Sequence, residues 1–543
     1  MRTASTAILA AGCVTVFCTA QAAHAEQFDV PPGRFGDVAA AVGAQAHITV
    51  AIPDPKVAGR RSGGVRGTMS VRTALAHIVR GADADIVFYN SRMVGIVGRP
   101  PPSRPARPPM PASPHRLVVS VPTDEAAAAD IVVTASKQPT SLTNFPGSVR
   151  LVVLDRGWAA RNGARGTAAI TATMPILGAT NLGPARNKLF IRGIADSSFN
   201  GPTQATVGQY LGDVRLNYNA PDPNLNLYDV QRIEVLTGPQ GSLYGASSLG
   251  GIMRLEPNPP DMDHVSATAS VGGSTTHLGG MGADGATMIN LPVVAGRVAL
   301  RLVTFAAHEP GYIDDPSRGL RNVNATTSYG QRMTLRITDL AEATVDLGVV
   351  IQNTSDEDGQ YTLRGDPPLT RRTALPQPFD NTYYLGFLTA RRTLGRAELV
   401  STTSVVRHDL QTVFDATALY GSESTAQFQE DNHITLLSHE TRVSGGGALA
   451  PWVAGVASIY NDSRSSRALE ISGDQTYDSG VVNRQLELAL FGQLSRPIAQ
   501  TLTGTIGGRF TLSRSTGALI GDVARRDEPS RHDRRFSAML ALD

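Results

Sequence analysis

Residues 234–256 read EVLTGPQGSLYGASSLGGIMRLE, a glycine-dense turn between two apolar runs that both predict strands. A phosphate-binding loop would need Gly-Lys-Ser/Thr opening a helix, or Gly-x-Gly-x-x-Gly between a strand and a helix. Neither spacing is present, and Ile252 to Leu255 predicts a strand. A flexible linker is disfavoured because Leu243, Tyr244 and Leu249 would leave apolar surface in water. The stretch therefore predicts a tight corner packed against another wall of protein.

The composition indicates a mainly β protein of several domains. The chain has 543 residues, a formal net charge of +2 and 18% charged residues, so its charge balance gives no indication of nucleic-acid binding. It contains 54 glycines and 34 prolines, and helical periodicity is scarce after residue 175.

The N-terminus predicts export. A basic residue precedes the apolar run AILAAGCVTVFCTA, and Ala23 and Ala25 fit a signal-peptidase site, so residues 1–25 are predicted to be a signal peptide. A lipoprotein signal at Cys13 is the alternative. Both cysteines, Cys13 and Cys18, lie in this segment, so we expect no disulfide or cysteine-ligated zinc in the exported chain. Since no later apolar run reaches about 18 residues, any membrane insertion is expected to use strands.

Residues 26–98 predict a small α/β unit with a repeated pattern. FDVPPGRFGDVAAAVGAQAHITVAIP indicates strand, helix and strand. VRGTMSVRTALAHIVRGADADIVFYNSRMVGIVG then indicates a strand, a helix with Ser70 as N-cap, and two strands. The pattern resembles the secretin and TonB short N-terminal domain, a periplasmic signalling module. This resemblance implies that residues 27–98 contact an inner-membrane anti-sigma regulator; a generic small α/β domain is the alternative.

Two segments of different character follow this unit. Residues 99–129 are rich in proline and arginine and are predicted to form an extended spacer. Residues 130–137 contain the β-branched run Ile131 to Thr134 in polar surroundings, which predicts an isolated strand. Such a strand is suited to pairing with the edge of another protein's sheet. The alternative is a strand of the domain that follows.

The motifs from residue 130 onward resemble, in order, those of TonB-dependent outer-membrane receptors. DIVVTAS resembles their TonB box, and KLFIRGI, VGQYLGDVRL and YDVQRIEVLTGPQGSLYGASSLGG resemble parts of their plug domain, here residues 138–260. The chain departs from the pattern where Leu211-Gly212 precedes Asp213 and where Thr237 replaces a frequent arginine. The resemblance implies that the TonB-ExbB-ExbD energy-coupling complex is a partner. Its binding site would be Asp130, Ile131, Val132, Val133, Thr134 and Ala135.

A plug that fills a barrel explains the glycine-rich corner. Its turns would run close to a wall, where glycine alone adopts positive φ and allows close backbone approach at little cost. A polar barrel interior would also supply partners for charged plug residues, although solvated surface charge is the alternative. The predicted plug–barrel contacts are Arg192, Gly193, Arg232, Glu234, Gly238, Gly241 and Gly245.

Residues 261–543 show the two-residue alternation of strands. In TVDLGVVIQ, Leu347 and Val349 face one side and Asp346 and Gln352 the other, as lipid-facing and lumen-facing residues of a transmembrane strand would. A soluble sandwich also alternates, but the inner-face arginines of SYGQRMTLRIT disfavour a dry core. The predicted fold class is therefore mainly β, with a small α/β N-terminal signalling domain, an α/β plug and the N-terminal part of an antiparallel transmembrane β-barrel.

The length of the strand region carries a further expectation. A plug of this type is expected in a barrel of about 22 strands, and residues 261–543 supply about half of it. We expect a truncated or split gene product, with dimerisation into a closed barrel as the alternative. Expressed alone, the chain is expected not to give the heat-modifiable, protease-resistant band of a closed barrel.

We predict no catalytic site, metal site or cofactor. DEDG at 356–359 resembles a calcium loop but lacks the closing glutamate. The family resemblance implies a non-enzymatic receptor in the outer membrane of a Gram-negative bacterium, in contact with outer-membrane lipid and with its N-terminal domain in the periplasm. The expected ligand is a ferric siderophore or similar scarce ligand, with vitamin, haem and carbohydrate cargo left open. A signalling-only or non-functional truncated receptor that binds ligand without transport is the alternative.

Overall fold

The computed structural model divides into two compact units, Met1–Val119 and Ser120–Asp543. It describes residues 25–46, 48–52, 59–79, 84–90, 93–98, 132–133, 136–137, 140–141, 147–196, 203–362, 365–420, 424–447, 450–499, 502–521 and 529–542. The following predicted features lie outside these residues: the signal peptide up to residue 24, the spacer 99–129, and Asp130, Ile131, Thr134 and Ala135 of the TonB box.

The first unit contains the predicted strands and helices in order, together with two additional two-residue strands, Gly33–Arg34 and Arg61–Ser62. Its described elements are β1 (Ala25–Val30), β2 (Gly33–Arg34), α1 (Phe35–Gln45), β3 (Thr49–Ala51), β4 (Arg61–Ser62), β5 (Val65–Ser70), α2 (Val71–Val79), β6 (Ala84–Asn90) and β7 (Met93–Gly98). Strand β1 pairs with β5, and β3, β7 and β6 form a sheet. The apolar faces of both helices are buried, with Phe35, Val42 and Leu75 fully enclosed. At the start of α2, the Thr73 N–H donates to Ser70 Oγ at 3.3 Å, as expected of an N-cap residue.

The second unit begins with short strands and helices. They are β8 (Val132–Val133), β9 (Thr140–Ser141), β10 (Val149–Val153), α3 (Arg156–Asn162), a 3-10 turn (Gly163–Arg165), α4 (Thr167–Thr173), β11 (Leu177–Ala179), β12 (Leu189–Ile191), β13 (Val207–Leu211), β14 (Val214–Arg215), β15 (Val230–Thr237), α5 (Gly241–Tyr244) and β16 (Gly251–Pro257). Five of these strands form one sheet in the order β10-β15-β16-β13-β14. We call residues 147–257, which surround this sheet, the plug.

The glycine-rich corner joins β15 to β16, and the predicted strand at Ile252 is confirmed. The corner also contains the one-turn helix α5, which local reasoning did not predict. Leu243 and Tyr244 are buried there, whereas Leu249 is 61% exposed, so the expectation that Leu249 would be enclosed is wrong. Leu249 lies beyond the helix, whereas Leu243 and Tyr244 pack against sheet residues such as Val453 and Phe491.

The strand region that packs against the plug is a single antiparallel sheet. Consecutive strands pair in chain order, with β17 and β28 at the edges. Its strands are β17 (Ser266–Thr275), β18 (Met281–Val294), β19 (Val298–Glu309), β20 (Thr326–Leu340), β21 (Ala343–Asp356), β22 (Phe379–Leu394), β23 (Ala397–Asp415), β24 (Ala426–Gly445), β25 (Trp452–Ile471), β26 (Asp474–Ala499), β27 (Leu502–Gly521) and β28 (Ser530–Leu542). A short helix, α6 (Thr417–Tyr420), follows β23.

The two faces of this sheet differ as predicted. Asp346 and Gln352 are buried against the plug, while Leu347 and Val349 are exposed on the opposite face. Plug residues such as Leu216 and Ile233 share one apolar core with sheet residues such as Tyr383. Among the described residues, no helix is long and apolar enough to cross a membrane.

The two ends of the sheet also differ. Strands β18 and β19, β20 and β21, and β22 and β23 are joined by the brief turns 295–297, 341–342 and 395–396. Strands β19 and β20, and β21 and β22, are joined at the other end by residues 310–325 and 357–378. We call these the short-turn end and the long-loop end.

Candidate functional site

Polar side chains tie the plug to successive strands of the sheet. Donors and acceptors come from both partners, and many of the acceptors are plug backbone carbonyls. The contacts include Arg301 with Asp229 (2.6 and 2.7 Å), Arg332 with the Tyr228 carbonyl (2.8 Å), Gln352 with the Asn226 N–H (3.0 Å), Tyr383 with the Leu216 carbonyl (2.8 Å) and Glu487 with the Tyr218 hydroxyl (3.1 Å). The plug is therefore held across strands β19 to β26 and not at one edge.

A buried ion cluster centred on Asp213 lies towards the short-turn end. Gly212 and Asp213 form the turn between β13 and β14, where Gly212 has φ +56°. The Asp213 carboxylate accepts from Arg442 at 2.8 Å and from Arg391 at 2.9 Å, both on the sheet. Arg254 of the plug lies 3.3 Å away. One plug carboxylate thus connects two sheet strands to the plug.

The cluster continues along the sheet to a second carboxylate. Arg391 also donates to Asp346 at 2.9 Å, and Arg336 donates to the same carboxylate at 2.7 Å. Arg336 and Asp346 are register partners on β20 and β21. Each acid therefore has more than one guanidinium within hydrogen-bond distance. Such multiple pairing offsets the desolvation cost of burying a charge.

The electrostatic balance at Asp213 favours its ionised form. Burial opposes ionisation of this carboxyl, but the guanidinium groups of Arg442, Arg254 and Arg391 outweigh it and hold the pKa of Asp213 well below its usual range. Asp213 is thus an anion throughout the physiological pH range. Removal of such a partner from a buried cluster typically costs about 3–5 kcal/mol.

Lys137, the last residue of the predicted TonB box segment 130–137, is anchored between the plug and the sheet. Its side chain is only 4% exposed, and its Nζ donates to Glu440 of β24 at 2.5 Å and to the Leu243 carbonyl of α5 at 2.8 Å. The ammonium also lies 4.4 Å from the ring centroids of Tyr244 and Phe491. Lys137 therefore joins the box segment to both the glycine-rich corner and the sheet.

Burial is the main influence on the charge of Lys137. It lowers the pKa of the ammonium to about 7, against the opposing attraction of Glu440, and the nearby Arg442 and Arg509 add repulsion. The anchor is therefore a lysine whose charge changes near neutral pH.

The predicted TonB box is only partly described. Val132 and Val133 pair antiparallel with Ser141 and Thr140, so the expectation of a strand without a sheet partner is wrong for these two residues. The ladder has only two residues on each side. Binding of TonB to this segment stays a prediction.

The charged residues predicted to contact the barrel have plug partners. Arg232 donates to Glu234 at 2.8 Å, both on β15, and Glu234 is fully buried. Arg192 is exposed, and its guanidinium lies 3.5 Å from Ser148 Oγ. Their role as plug–barrel contacts stays a prediction.

The predicted glycine contacts differ in their surroundings. A Cβ at Gly245 would lie 2.7 Å from Arg509 Cζ on β27, and one at Gly241 would lie 3.9 Å from Ser537 Oγ on β28. Gly193 and Gly238 have positive φ angles of 75° and 88°, but among described residues an added Cβ there would meet no atom within 4 Å. Steric need for glycine is thus clearest at Gly245.

Two residues that link the plug to the sheet, Asp213 and Lys137, were not among the predicted contacts. Asp213 was noticed only as part of a departure from a motif. The alternation predicts that Arg336 and Asp346 lie on the polar face of their strands, and this is the one sequence signal for an ion cluster. The pairing of these residues required the strand register.

Comparisons with known proteins agree with this arrangement. Residues 145–252 match the family model described as the TonB-dependent receptor plug domain. The fold is that of a TonB-dependent outer-membrane receptor. The match covers the plug as far as residue 252, including the Asp213 turn and the glycine-rich corner.

Solved structures extend the likeness to the sheet. The ferric yersiniabactin uptake receptor FyuA from Yersinia pestis is similar with a TM-score of 0.62 and 15% identity over 73% of this chain and 62% of that one. For the outer-membrane ferripyoverdine receptor of Pseudomonas aeruginosa, the TM-score is 0.59 and the sequence identity is 15%. This match covers 95% of this chain and 68% of that receptor. For the alcaligin outer-membrane receptor FauA from Bordetella pertussis, the TM-score is 0.52 and the sequence identity is 14%, over 75% of this chain and 62% of that receptor. The chain thus spans 62% of the length of FyuA.

Proposed function

We propose that this protein binds a ferric siderophore, or a similar scarce ligand, at the outer membrane and imports it with energy supplied by TonB. The observation that carries the proposal is the plug sheet packed against a twelve-stranded antiparallel sheet, with Lys137, at the end of the predicted TonB box segment, anchored between them. The protein would act as a receptor and not as an enzyme. ExbB and ExbD would energise TonB from the inner membrane.

The position of Lys137 supports coupling between the TonB box and the plug. A force applied by TonB to residues 130–135 would be transmitted along the chain to Lys137, a few residues further on. It would act there on the contacts of Lys137 with Glu440 and Leu243. Leu243 belongs to the corner that packs against the sheet residues Val453 and Phe491. A short strand next to this anchor is suited to pairing with the edge of a TonB sheet.

The ligand class rests on the solved structures of similar fold. Their names specify receptors for ferric yersiniabactin, ferripyoverdine and alcaligin. At 14–15% identity these names do not transfer directly, so ferric siderophore import by this chain is a proposal. Vitamin, haem and carbohydrate cargo are the alternatives if the experiment below finds no binding of a ferric siderophore.

We further propose that residues 26–98 form a periplasmic signalling domain that contacts an anti-sigma regulator across the spacer 99–129. The two-fold strand and helix pattern supports this, as does the ferripyoverdine receptor match over 95% of the chain. The TonB box at 130–137, the plug at 138–260 and the strand region at 261–543 complete the proposed organisation.

Transport is tested with radioactive iron loaded on yersiniabactin, pyoverdine and alcaligin, measuring binding and uptake by cells that express the chain. Val132→Pro should block uptake and spare binding, because proline removes a ladder donor. Ala106→Pro, in the predicted spacer, is the matched proline control and should transport normally. Uptake by Val132→Pro at the wild-type rate would show that this segment is not the box. Binding without uptake by the wild type would support the signalling-only alternative, and binding of none of the three probes would reject the ligand class.

A further inference from the structure

Four charged side chains form a continuous chain from the box segment to the plug turn. Lys137 lies 2.5 Å from Glu440 Oε2, while Glu440 Oε1 lies 3.3 Å from Arg442 Nη1. Arg442 Nη2 in turn lies 2.8 Å from Asp213 Oδ1. Each oxygen of Glu440 thus has its own cation, and each terminal nitrogen of Arg442 has its own acid.

Burial makes these pairings interdependent. The side chains of Lys137, Arg442 and Asp213 are 4%, 7% and 5% exposed and that of Glu440 is 21% exposed, so only Glu440 has partial access to water. A buried carboxylate that loses its cation must find another one or bear a large desolvation cost. Arg442, two residues along the same strand, is already in position to become the sole partner of Glu440.

The guanidinium of Arg442 also has one N–H donor that makes no hydrogen bond to the described residues. Its Nε is buried and has no hydrogen-bond partner among the described residues. A small rotation of the guanidinium towards Glu440 can therefore offer Nε to the carboxylate while Nη2 leaves Asp213. Asp213 would keep Arg254 at 3.3 Å and Arg391 at 2.9 Å, so the plug turn would be loosened and not released.

The loosened turn borders open space. A cavity of about 510 Å³ lies between the plug and the sheet and is lined by Gly212, Asp213, Arg254 and Arg391, together with Lys137. Movement of the β13–β14 turn away from Arg442 would enlarge this cavity. The same ion chain therefore connects a pull at the box segment with the space between plug and sheet.

We propose that Lys137, Glu440 and Arg442 are positioning residues that form an ion-exchange relay. When Lys137 is withdrawn, Glu440 takes Arg442 from Asp213, and the Gly212–Asp213 turn loosens. The physiological trigger rests on the proposed function, because TonB would supply the pull. The exchange itself is a property of the folded chain and needs no partner.

The relay is tested by hydrogen exchange of the backbone at residues 211–215 in the purified full chain at pH 6, below the pKa of Lys137, so that its ammonium is charged. Lys137→Met should speed exchange there roughly tenfold, which corresponds to the loss of one charge-assisted hydrogen bond. The double variant Lys137→Met/Glu440→Gln should return to within about twofold of wild type, because a neutral amide no longer draws Arg442 away. Glu440→Gln alone should also stay near wild type.

Two controls separate the relay from general damage. Lys137→Arg keeps the charge and should keep wild-type exchange at 211–215. Arg301→Gln removes a different plug–sheet ion pair, that with Asp229, and should speed exchange near Asp229 while leaving 211–215 unchanged.

Two results would overturn the relay. One is unchanged exchange in Lys137→Met. The other is a double variant that exchanges as fast as Lys137→Met, since lost packing would not be rescued by removing an acid. The relay and the proposed function fail separately: rescue in the exchange experiment together with absent siderophore uptake would leave the relay standing.

Discussion

The segment around Lys137 is docked when Lys137 contacts Glu440 and the Leu243 carbonyl, and released when these contacts are broken. The equilibrium between the two states should depend steeply on pH between 9 and 7. In the docked state the pKa of Lys137 is lowered from 10.5 to about 7, chiefly by burial. After release into water the ordinary value applies, so the released state binds more protons over this range. Docking is therefore stabilised as pH rises towards 10.5 and weakened as pH falls towards 7.

The size of the effect follows from these two pKa values. The equilibrium constant for release should increase about 50-fold from pH 9 to pH 7, and less than about twofold further at pH 6. The charged groups that face Lys137 are Glu440 and Arg442 on β24 and Arg509 on β27.

A spin label at Val132→Cys reports this equilibrium as the mobile fraction of its spectrum. The only native cysteines, Cys13 and Cys18, lie in the predicted signal peptide, so the exported chain should carry a single label. Lys137→Met, which cannot titrate, is the control and should give a mobile fraction independent of pH. A wild-type mobile fraction that stays constant, or rises, between pH 7 and pH 9 would refute the reasoning.

Three further predictions concern other parts of the chain. Deletion of residues 27–98 should spare uptake and abolish ligand-induced transcription of the receptor's own operon in a reporter assay; induction that persists would leave this domain without its proposed role. Asp213→Asn should destabilise the plug by about 3–5 kcal/mol, because buried guanidinium groups lose their anion, and this is measurable by denaturant unfolding. Gly245→Val should disrupt the corner, because its Cβ would meet Arg509 at 2.7 Å in a backbone of φ +70°, and should make the plug more sensitive to protease. Gly238→Ala, which has positive φ in open space, should cost only about 1–2 kcal/mol; equal protease sensitivity of the two variants would contradict the steric argument.

Much of the fold was predictable because its signals are local. The helix α1 follows from apolar residues on one helical face, and the orientation of β21 follows from the alternation of Asp346 and Leu347. The one-turn helix α5 and the exposure of Leu249 were not predictable in this way. They depend on the packing of Leu243 and Tyr244 against sheet residues such as Val453 and Phe491, more than 200 residues later in the chain.

The candidate site divides in the same way. The sequence alone determined that the chain carries a plug motif and that Arg336 and Asp346 lie on the polar face of their strands. Only the strand register made these two residues neighbours, and only the seating of the plug brought Asp213 to Arg391 and Arg442.

Lys137 is the clearest case of a tertiary effect. A lysine after a β-branched run has no local signal for burial, yet its ammonium is enclosed by Glu440, 303 residues away along the chain. Periodicity determines which face a side chain occupies, because it follows from backbone geometry. The partners of a buried charge depend on distances through space, which are set when the plug packs against the sheet.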